Sequence, residues 1–161
     1  MDRLAGRQWF KINSFNMISL STIENFNKKF DVVSLFIIYN GKILLLKRQS
    51  DKHFAGTWGP PAGKGDEGED LEQAICRETF EETGIVISPE EITKDEKHYF
   101  VRHGDIDFMF HVYSVVLEKE SNVVLRDIEH SGFAWFTPAE ALKLDLVQDE
   151  EVPISDFFLS Q

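Results

Sequence analysis

The chain has 161 residues, 42% of them apolar and 12% aromatic, with a formal net charge of −11; that is enough material to bury one core and too little for two. No stretch reaches the roughly eighteen consecutive apolar residues a membrane helix needs, and no charged-then-apolar leader is present. The single cysteine, Cys76, can close no internal disulfide and belongs to no CxxC pair, so a cytoplasmic protein with no membrane partner is expected. Residues 1–54 carry nine Lys/Arg against four Asp/Glu (+5), and residues 55–161 carry eight against twenty-four (−16). That acidic majority excludes a duplex-wrapping nucleic-acid binder, which needs cationic surface to displace counterions. An anionic substrate would have to be met by metal ions.

In chain order, residues 1–30 lack clean periodicity and are expected to form an extension or an edge strand, ahead of one domain over 31–161. Val32 to Tyr39 and Lys42 to Arg48 are apolar, β-favouring runs around Asn40-Gly41, a strong hairpin signal because both turn residues tolerate positive φ. His53 to Lys64 is a Gly/Pro-rich loop. A helix is predicted from Asp70 to about Thr83, with Asp70 and Gln73 as a capping-box-like start and Gly84 as the C′ residue. His98 to His103 and Ile106 to Leu117 read as strands around Gly104-Asp105, and Phe133 to Phe136 as a short strand. Pro138 to Lys143 begins a helix behind Thr137, and the tail ends in DFFLSQ.

At 100° per residue, Leu71, Ala74 and Ile75 share the inward stripe of the Asp70–Thr83 helix, and Glu78 and Glu82 fall within about 20° of Leu71 on that stripe. Glu81 sits about 80° to one side, one turn beyond Arg77. Carboxylates crowded on a core-facing stripe repel one another, and burial raises their pKa values unless a cation is supplied. Hard oxygen donors suit Mg²⁺, Mn²⁺ or Ca²⁺ and, without a Cys/His cluster, disfavour zinc. On periodicity alone a solvated acidic helix remains equally open. Cys76 and Phe80 lie on the other side of the wheel, and Cys76, with no base beside it in sequence, reads as a buried thiol.

The spacing carries more than the periodicity. From Gly63 the chain runs GKGDEGEDLEQAICRETFEETGI, which resembles the Nudix box G-x5-E-x7-R-E-U-x-E-E-x-G-U, U being a bulky aliphatic residue. Gly63, Glu69, Arg77, Glu78, Glu81, Glu82, Gly84 and Ile85 are in register. Chance agreement at the strictly typed positions is on the order of one in a million. Thr79 departs from the pattern, as does Ala62 in Pro61-Ala62-Gly63. The flanks LLLKRQ, Gly56-x-Trp58 and Pro61, and later Glu129 with Trp135-Phe136-Thr137-Pro138, are similar to the MutT-like branch.

This resemblance implies an α/β fold, an α/β/α sandwich around a mixed sheet, and Mg²⁺-dependent hydrolysis of a nucleoside diphosphate linked to another moiety, with Mn²⁺ as the substitute ion. It implies that Glu78, Glu81 and Glu82, with the carbonyl of Gly63, hold metal, and that Arg77 orients Glu78 or Glu81 while Glu69 supports the box. The general base would be Glu78 or a later loop glutamate, Glu129 first and Glu96 in reserve. Arg48 and Lys64 are candidates for phosphate contact, and Phe54, Trp58, Phe100, Phe110 and Phe133 for a wall against the base. A nucleoside triphosphate, oxidised ones included, is the default substrate; nucleotide sugars, dinucleoside polyphosphates, capped RNA and a non-catalytic nucleotide sensor are the alternatives. Phe80 and the Phe157-Phe158-Leu159 tail fit either intramolecular packing or a homodimer contact.

Overall fold

The computed structural model describes residues 2–4, 8–10, 16–126 and 128–159, with residues 2–4, 8–10, 94 and 95 as backbone only. Parts of the predicted extension, residues 1, 5–7 and 11–15, therefore lie outside the described residues. The strands are β1 (Asp2–Leu4), β2 (Gln8–Phe10), β3 (Asn16–Ser19), β4 (Lys28–Tyr39), β5 (Lys42–Arg48), β6 (Trp58–Gly59), β7 (Ala62–Lys64), β8 (Thr93–His103), β9 (Ile106–Val116) and β10 (His130–Phe136). The helices are α1 (Leu71–Thr83), α2 (Pro138–Ala141) and α3 (Glu151–Phe158).

β1 and β2 pair with each other, and the main sheet runs β10-β5-β4-β9-β8-β3, with β6 added to β5 and β7 to β4. Only β4 and β9, at the centre, are parallel among these pairings. The Asn40-Gly41 turn forms where its chemistry calls for it, with φ of 49° and 73°, and sets Ile38 opposite Ile43. Because successive strand residues point to opposite faces, β4 feeds two cores. Val33, Leu35 and Ile37 join Leu44, Leu46, Ala74 and Ile75 on the α1 face. Phe36 joins Ile43, Leu45, Val152 and Ile154 on the α3 face. The result is a mixed sheet between helical layers, the predicted α/β/α architecture. No helix among the described residues is long and apolar enough to cross a membrane.

α1 starts behind Asp70, whose side chain accepts from the Glu72 N–H (3.2 Å), and ends at Gly84 in the left-handed region, its N–H donating to the Phe80 carbonyl. Asp70 thus caps the helix without the reciprocal partner predicted at Gln73. The inner face holds Ala74, Ile75, Thr79, Glu82 and Thr83. Thr79, the departure from the box pattern, is fully buried with its hydroxyl unbonded among the described residues. Phe80 is exposed beneath the guanidinium of Arg126, 4.4 Å from its ring centroid. Cys76 packs against the α1-side core, and burial, then Glu91, Glu90 and Glu72, push its thiol pKa up, which suits a packing group and not a nucleophile.

The elements depart from the sequence reading in several places: β4 and β10 begin before Val32 and Phe133, and β6 and β7 lie within the stretch read as a loop from His53 to Lys64. β8 begins at Thr93 instead of His98, because an irregularity between Thr93 and Lys97 lets the strand resume its pairing with β9. The tail forms α3, a helix the sequence conceals behind Pro153. That proline sits in the first turn, where its missing N–H has no intrahelical acceptor to lose. α3 turns Phe157 and Phe158 onto Phe36, each at 5.2 Å between ring centroids, so these two tail aromatics pack within the chain.

Candidate active site

A cavity of about 390 Å³ opens at the end of the sheet where both helical layers reach it. From the α1 face it is lined by Glu82 together with Ala62, Gly63 and Lys64, and from the α3 face by Val147 and Glu150. The segment carrying Val147 is pinned to β6 by two backbone bonds, Trp58 N–H to Asp145 O (2.9 Å) and Val147 N–H to Trp58 O (2.8 Å). Two non-glycine residues hold left-handed backbone here, Phe54 (φ 58°), which lines the cavity, and Asp149 (φ 72°), which precedes the lining residue Glu150. Each such conformation costs on the order of 1 kcal/mol. The fold tolerates that cost where the chain must turn into the cavity.

Among the box glutamates, Glu82 is buried, only 4% exposed, and its Oε2 accepts from the Ala62 N–H at 3.4 Å. Glu78 lies so close beneath Gly63 that any β-carbon there would overlap its carboxylate. Glu81 is exposed on the flank. Arg77 ties them together. It donates through Nε and Nη2 to both oxygens of Glu69 (3.0 Å each), through Nη1 to Glu78 (2.9 Å) and Glu81 (3.3 Å), and through Nη2 to the Lys64 carbonyl (3.2 Å).

This fork holds the Glu69 carboxyl below the usual carboxylate range, helped by the Asp66 N–H. Glu78 goes the other way. Burial raises its pKa, and Glu81 and Glu129 add to the rise, outweighing the pull of Arg77. A lysine cannot reproduce a planar fork that serves three carboxylates and a carbonyl. Arg77→Lys is therefore expected to lower stability by on the order of 2 kcal/mol, read as a shifted denaturant midpoint; an unchanged midpoint would show the network to be idle.

Among the described residues no three His, Cys, Asp or Glu side chains are gathered to grip one metal ion as they stand. Glu78 and Glu81 are drawn to Arg77, and Glu82 to the Ala62 N–H. The donor chemistry nonetheless fits a hard divalent cation. One carboxylate is buried and another is held above its ordinary pKa, both oxygen donors on one helix face with no thiolate or imidazole among them, and a nearby divalent charge relieves both penalties.

Of the other residues singled out from sequence, Arg48, Phe54, Lys64 and Glu129 all line the cavity. Arg48 pairs with Glu129 at 3.2 Å, and Lys64 holds its ammonium 4.0 Å from the Phe30 ring centroid. The remaining aromatic candidates lie elsewhere: Trp58 packs edge-on to Phe136, Phe100 to Phe26, Phe110 is in the α3-side core, and Phe133 is exposed beside Trp135 in another groove. Glu96 is exposed and does not line the cavity. Sequence reasoning missed Glu150, because Asp149-Glu150-Glu151 reads as a solvated run of acid and nothing local marks its middle member as buried.

A family model described as the NUDIX domain matches residues 28–157. The chain belongs to the NUDIX family. The CTP pyrophosphohydrolase of Escherichia coli (strain K12) is 31% identical over 133 residues, covering 83% of this chain and 93% of that protein. Among solved structures, the MutT NUDIX hydrolase of Burkholderia pseudomallei aligns with a TM-score of 0.65 and 26% identity over 80% of this chain and 97% of the other. A bifunctional NMN adenylyltransferase/ADP ribose pyrophosphatase of Francisella tularensis, complexed with AMP and a manganese ion, aligns with a TM-score of 0.68 and 23% identity over 82% of this chain. This chain spans only 42% of that larger protein, so the likeness is one of fold. As a Nudix hydrolase the chain is an enzyme that cleaves pyrophosphate bonds, and Nudix hydrolases generally use divalent metals.

Proposed function

We propose that the chain is a magnesium-dependent pyrophosphohydrolase of nucleoside triphosphates, with Mn²⁺ able to replace Mg²⁺, acting on nucleotides in the cytoplasm. The observation that carries this reading is the placement of a buried carboxylate, Glu82, in the wall of a cavity that also presents Arg48 and Lys64. Negative and positive groups lining one cavity suit a substrate whose phosphates are gripped partly by cations of the chain and partly through a metal. The likeness to a CTP pyrophosphohydrolase supports a nucleoside triphosphate over the larger alternatives.

Glu78, Glu81 and Glu82, with the Gly63 carbonyl, would hold the ion. Bound there, it supplies charge neutralisation of the diphosphate and a lowered pKa for the attacking water. Arg77 keeps Glu78 and Glu81 oriented, and its bidentate hold on Glu69 fixes the guanidinium itself. Arg48 and Lys64 would meet phosphate oxygens from the cavity wall, to which Phe54 also contributes. Glu129, which lines the cavity and pairs with Arg48 at 3.2 Å, or Glu78 would serve as the base for the water. Displacement at phosphorus asks little covalent work of a protein, so positioning and charge carry the rate.

The test is a magnesium-supported screen of the full chain over nucleoside triphosphates, nucleotide sugars, dinucleoside polyphosphates and capped RNA, with products identified. Release of pyrophosphate and a nucleoside monophosphate from triphosphates is expected. Turnover confined to another class would discard the triphosphate assignment, and turnover undiminished by chelation would discard the metal.

A further inference from the structure

Phe80 has no part in the reaction described above, yet this phenylalanine stands 39% exposed immediately before Glu81. Its ring is covered by the guanidinium of Arg126, 4.4 Å from the centroid. α1 carries no basic residue in its last turn, and Glu81 and Glu82 sit there against the negative end of the helix dipole. Arg126 brings a cation to that end from another segment of the chain.

The segment carrying Arg126 is fastened to the end of α1 by its backbone as well. Carbonyls of a last helical turn have no partner within the helix, and two of them find one here. The Val124 N–H donates to the Thr83 carbonyl (2.9 Å) and the Arg126 N–H to the Glu82 carbonyl (3.3 Å). Alternating with these residues, Val123 and Leu125 pack into the α1-side core. Gly84 permits the close approach, because a β-carbon there would stand 3.3 Å from Arg126 Cδ and 3.5 Å from the Val124 carbonyl oxygen. Glu82, in the cavity wall, is thus joined through its own carbonyl to a residue that does not line the cavity.

Glu129 follows Arg126 by three residues, a reach of at most about 11 Å of backbone. From the β5 side it is held by the Gln49 N–H on its carbonyl (2.7 Å) and by Arg48 on its carboxylate (3.2 Å). We propose that Arg126, clasped over Phe80, is a positioning residue that sets Glu129 against Glu78 and Glu82 of α1. The step rests on Glu129, of the two bases named above, being the one that takes the proton of the water. A base must lie within hydrogen-bond reach of that proton, and a misplacement of about 1 Å can cost about a hundredfold in rate. Because Arg126 stands outside the cavity wall, the clasp acts on kcat and leaves KM alone, and it needs the ring as much as the cation.

The experiment measures magnesium-supported CTP hydrolysis by the full chain and by Arg126→Gln, Arg126→Lys, Phe80→Leu, Phe80→Tyr and Glu129→Gln, with Tm recorded for each. Arg126→Gln and Phe80→Leu should each lower kcat about tenfold, part of the hundredfold or more that a well-placed base contributes. KM should stay within about twofold, since no ground-state contact is lost, and Tm should move little for two exposed side chains. The two changes combined should lose no more than either alone, because each breaks the same contact. Arg126→Lys and Phe80→Tyr keep a cation over a ring face and should restore most of kcat. Added to Glu129→Gln, Arg126→Gln should cost nothing further.

A second readout needs neither metal nor turnover. Amide hydrogen exchange at Val124 and Arg126 should quicken about three- to fivefold in Arg126→Gln and Phe80→Leu, the local opening that follows loss of one exposed cation–π contact. It should stay slow in Arg126→Lys and Phe80→Tyr. Equal exchange in every form overturns the clasp whatever the rate of hydrolysis. Unchanged kcat in Arg126→Gln and Phe80→Leu, beside a large loss in Glu129→Gln, also overturns it and leaves Glu129 as the base. A raised KM in Arg126→Gln with Phe80→Leu unaffected overturns it in favour of a direct phosphate contact. Full kcat in Glu129→Gln removes both the base and the clasp, while the metal-dependent hydrolysis stands.

Discussion

Glu82→Gln should fold as the unaltered chain does and lose about a thousandfold or more in turnover, the scale seen when a group that stabilises developing charge is removed. The side chain it replaces is 4% exposed and accepts the Ala62 backbone N–H, and a glutamine carbonyl can accept that same bond. Burying a neutral amide also costs less than burying a carboxylate, so Tm without metal should hold or rise. Two measurements separate the roles of this residue: turnover with magnesium, and the increment in Tm that magnesium or manganese gives. The unaltered chain should gain in Tm by mass action of a ligand on the folded state, and Glu82→Gln should gain far less. Undiminished activity in the variant would remove Glu82 from the site.

The parts of this site that lie on one helix were legible in the sequence, and of those that the sheet and its loops bring together, Arg48, Phe54, Lys64 and Glu129 were singled out through the resemblance while others were not. Arg77, Glu78, Glu81 and Glu82 are related by spacings of one, three, four and five residues, and α-helical periodicity turns such spacings into a shared face without help from the rest of the fold. The same logic placed Asp70 and Gly84 at the ends of α1 and Asn40-Gly41 at the hairpin, since caps and tight turns are chosen by local backbone chemistry. It failed at the aromatic wall. Phe54 reaches the cavity, yet Trp58, four residues on, faces Phe136, because a side chain in a Gly/Pro loop takes its direction from contacts made far along the chain. It failed again at Glu150, which lies far along the chain from Glu82 and shares the cavity only because the fold brings the start of α3 to it. A buried acid inside an acidic run has no periodic signature; its burial is settled by Val147 docking on β6.

Gly63→Ala is expected to separate activity from stability most cleanly. Gly63 does not use left-handed backbone and pairs with Val33 as an ordinary strand residue, so alanine suits its conformation and β7 should stay on β4. The new methyl group would instead meet the Cδ and both oxygens of Glu78. Those atoms are the far end of a flexible side chain, so the protein can yield by swinging Glu78 aside, at the cost of its 2.9 Å bond to Arg77. Stability should fall by about 1 kcal/mol, the scale of one charge-assisted bond at a partly exposed site. Turnover should fall by about a hundredfold or more, because a carboxylate that orients metal and water works only where it is placed. Gly65→Ala is the matched control two residues on: its added carbon would rest 3.8 Å from Leu71 Cδ2 and 3.9 Å from the Ala74 Cβ, ordinary contacts that displace no carboxylate, and its turnover should stay near that of the unaltered chain. If both alanines behave alike, the closeness of Gly63 to Glu78 is a matter of packing alone; if only Gly63→Ala loses turnover while both keep their melting transitions, the glycine in the box is there to leave room for the glutamate that follows it across the helix.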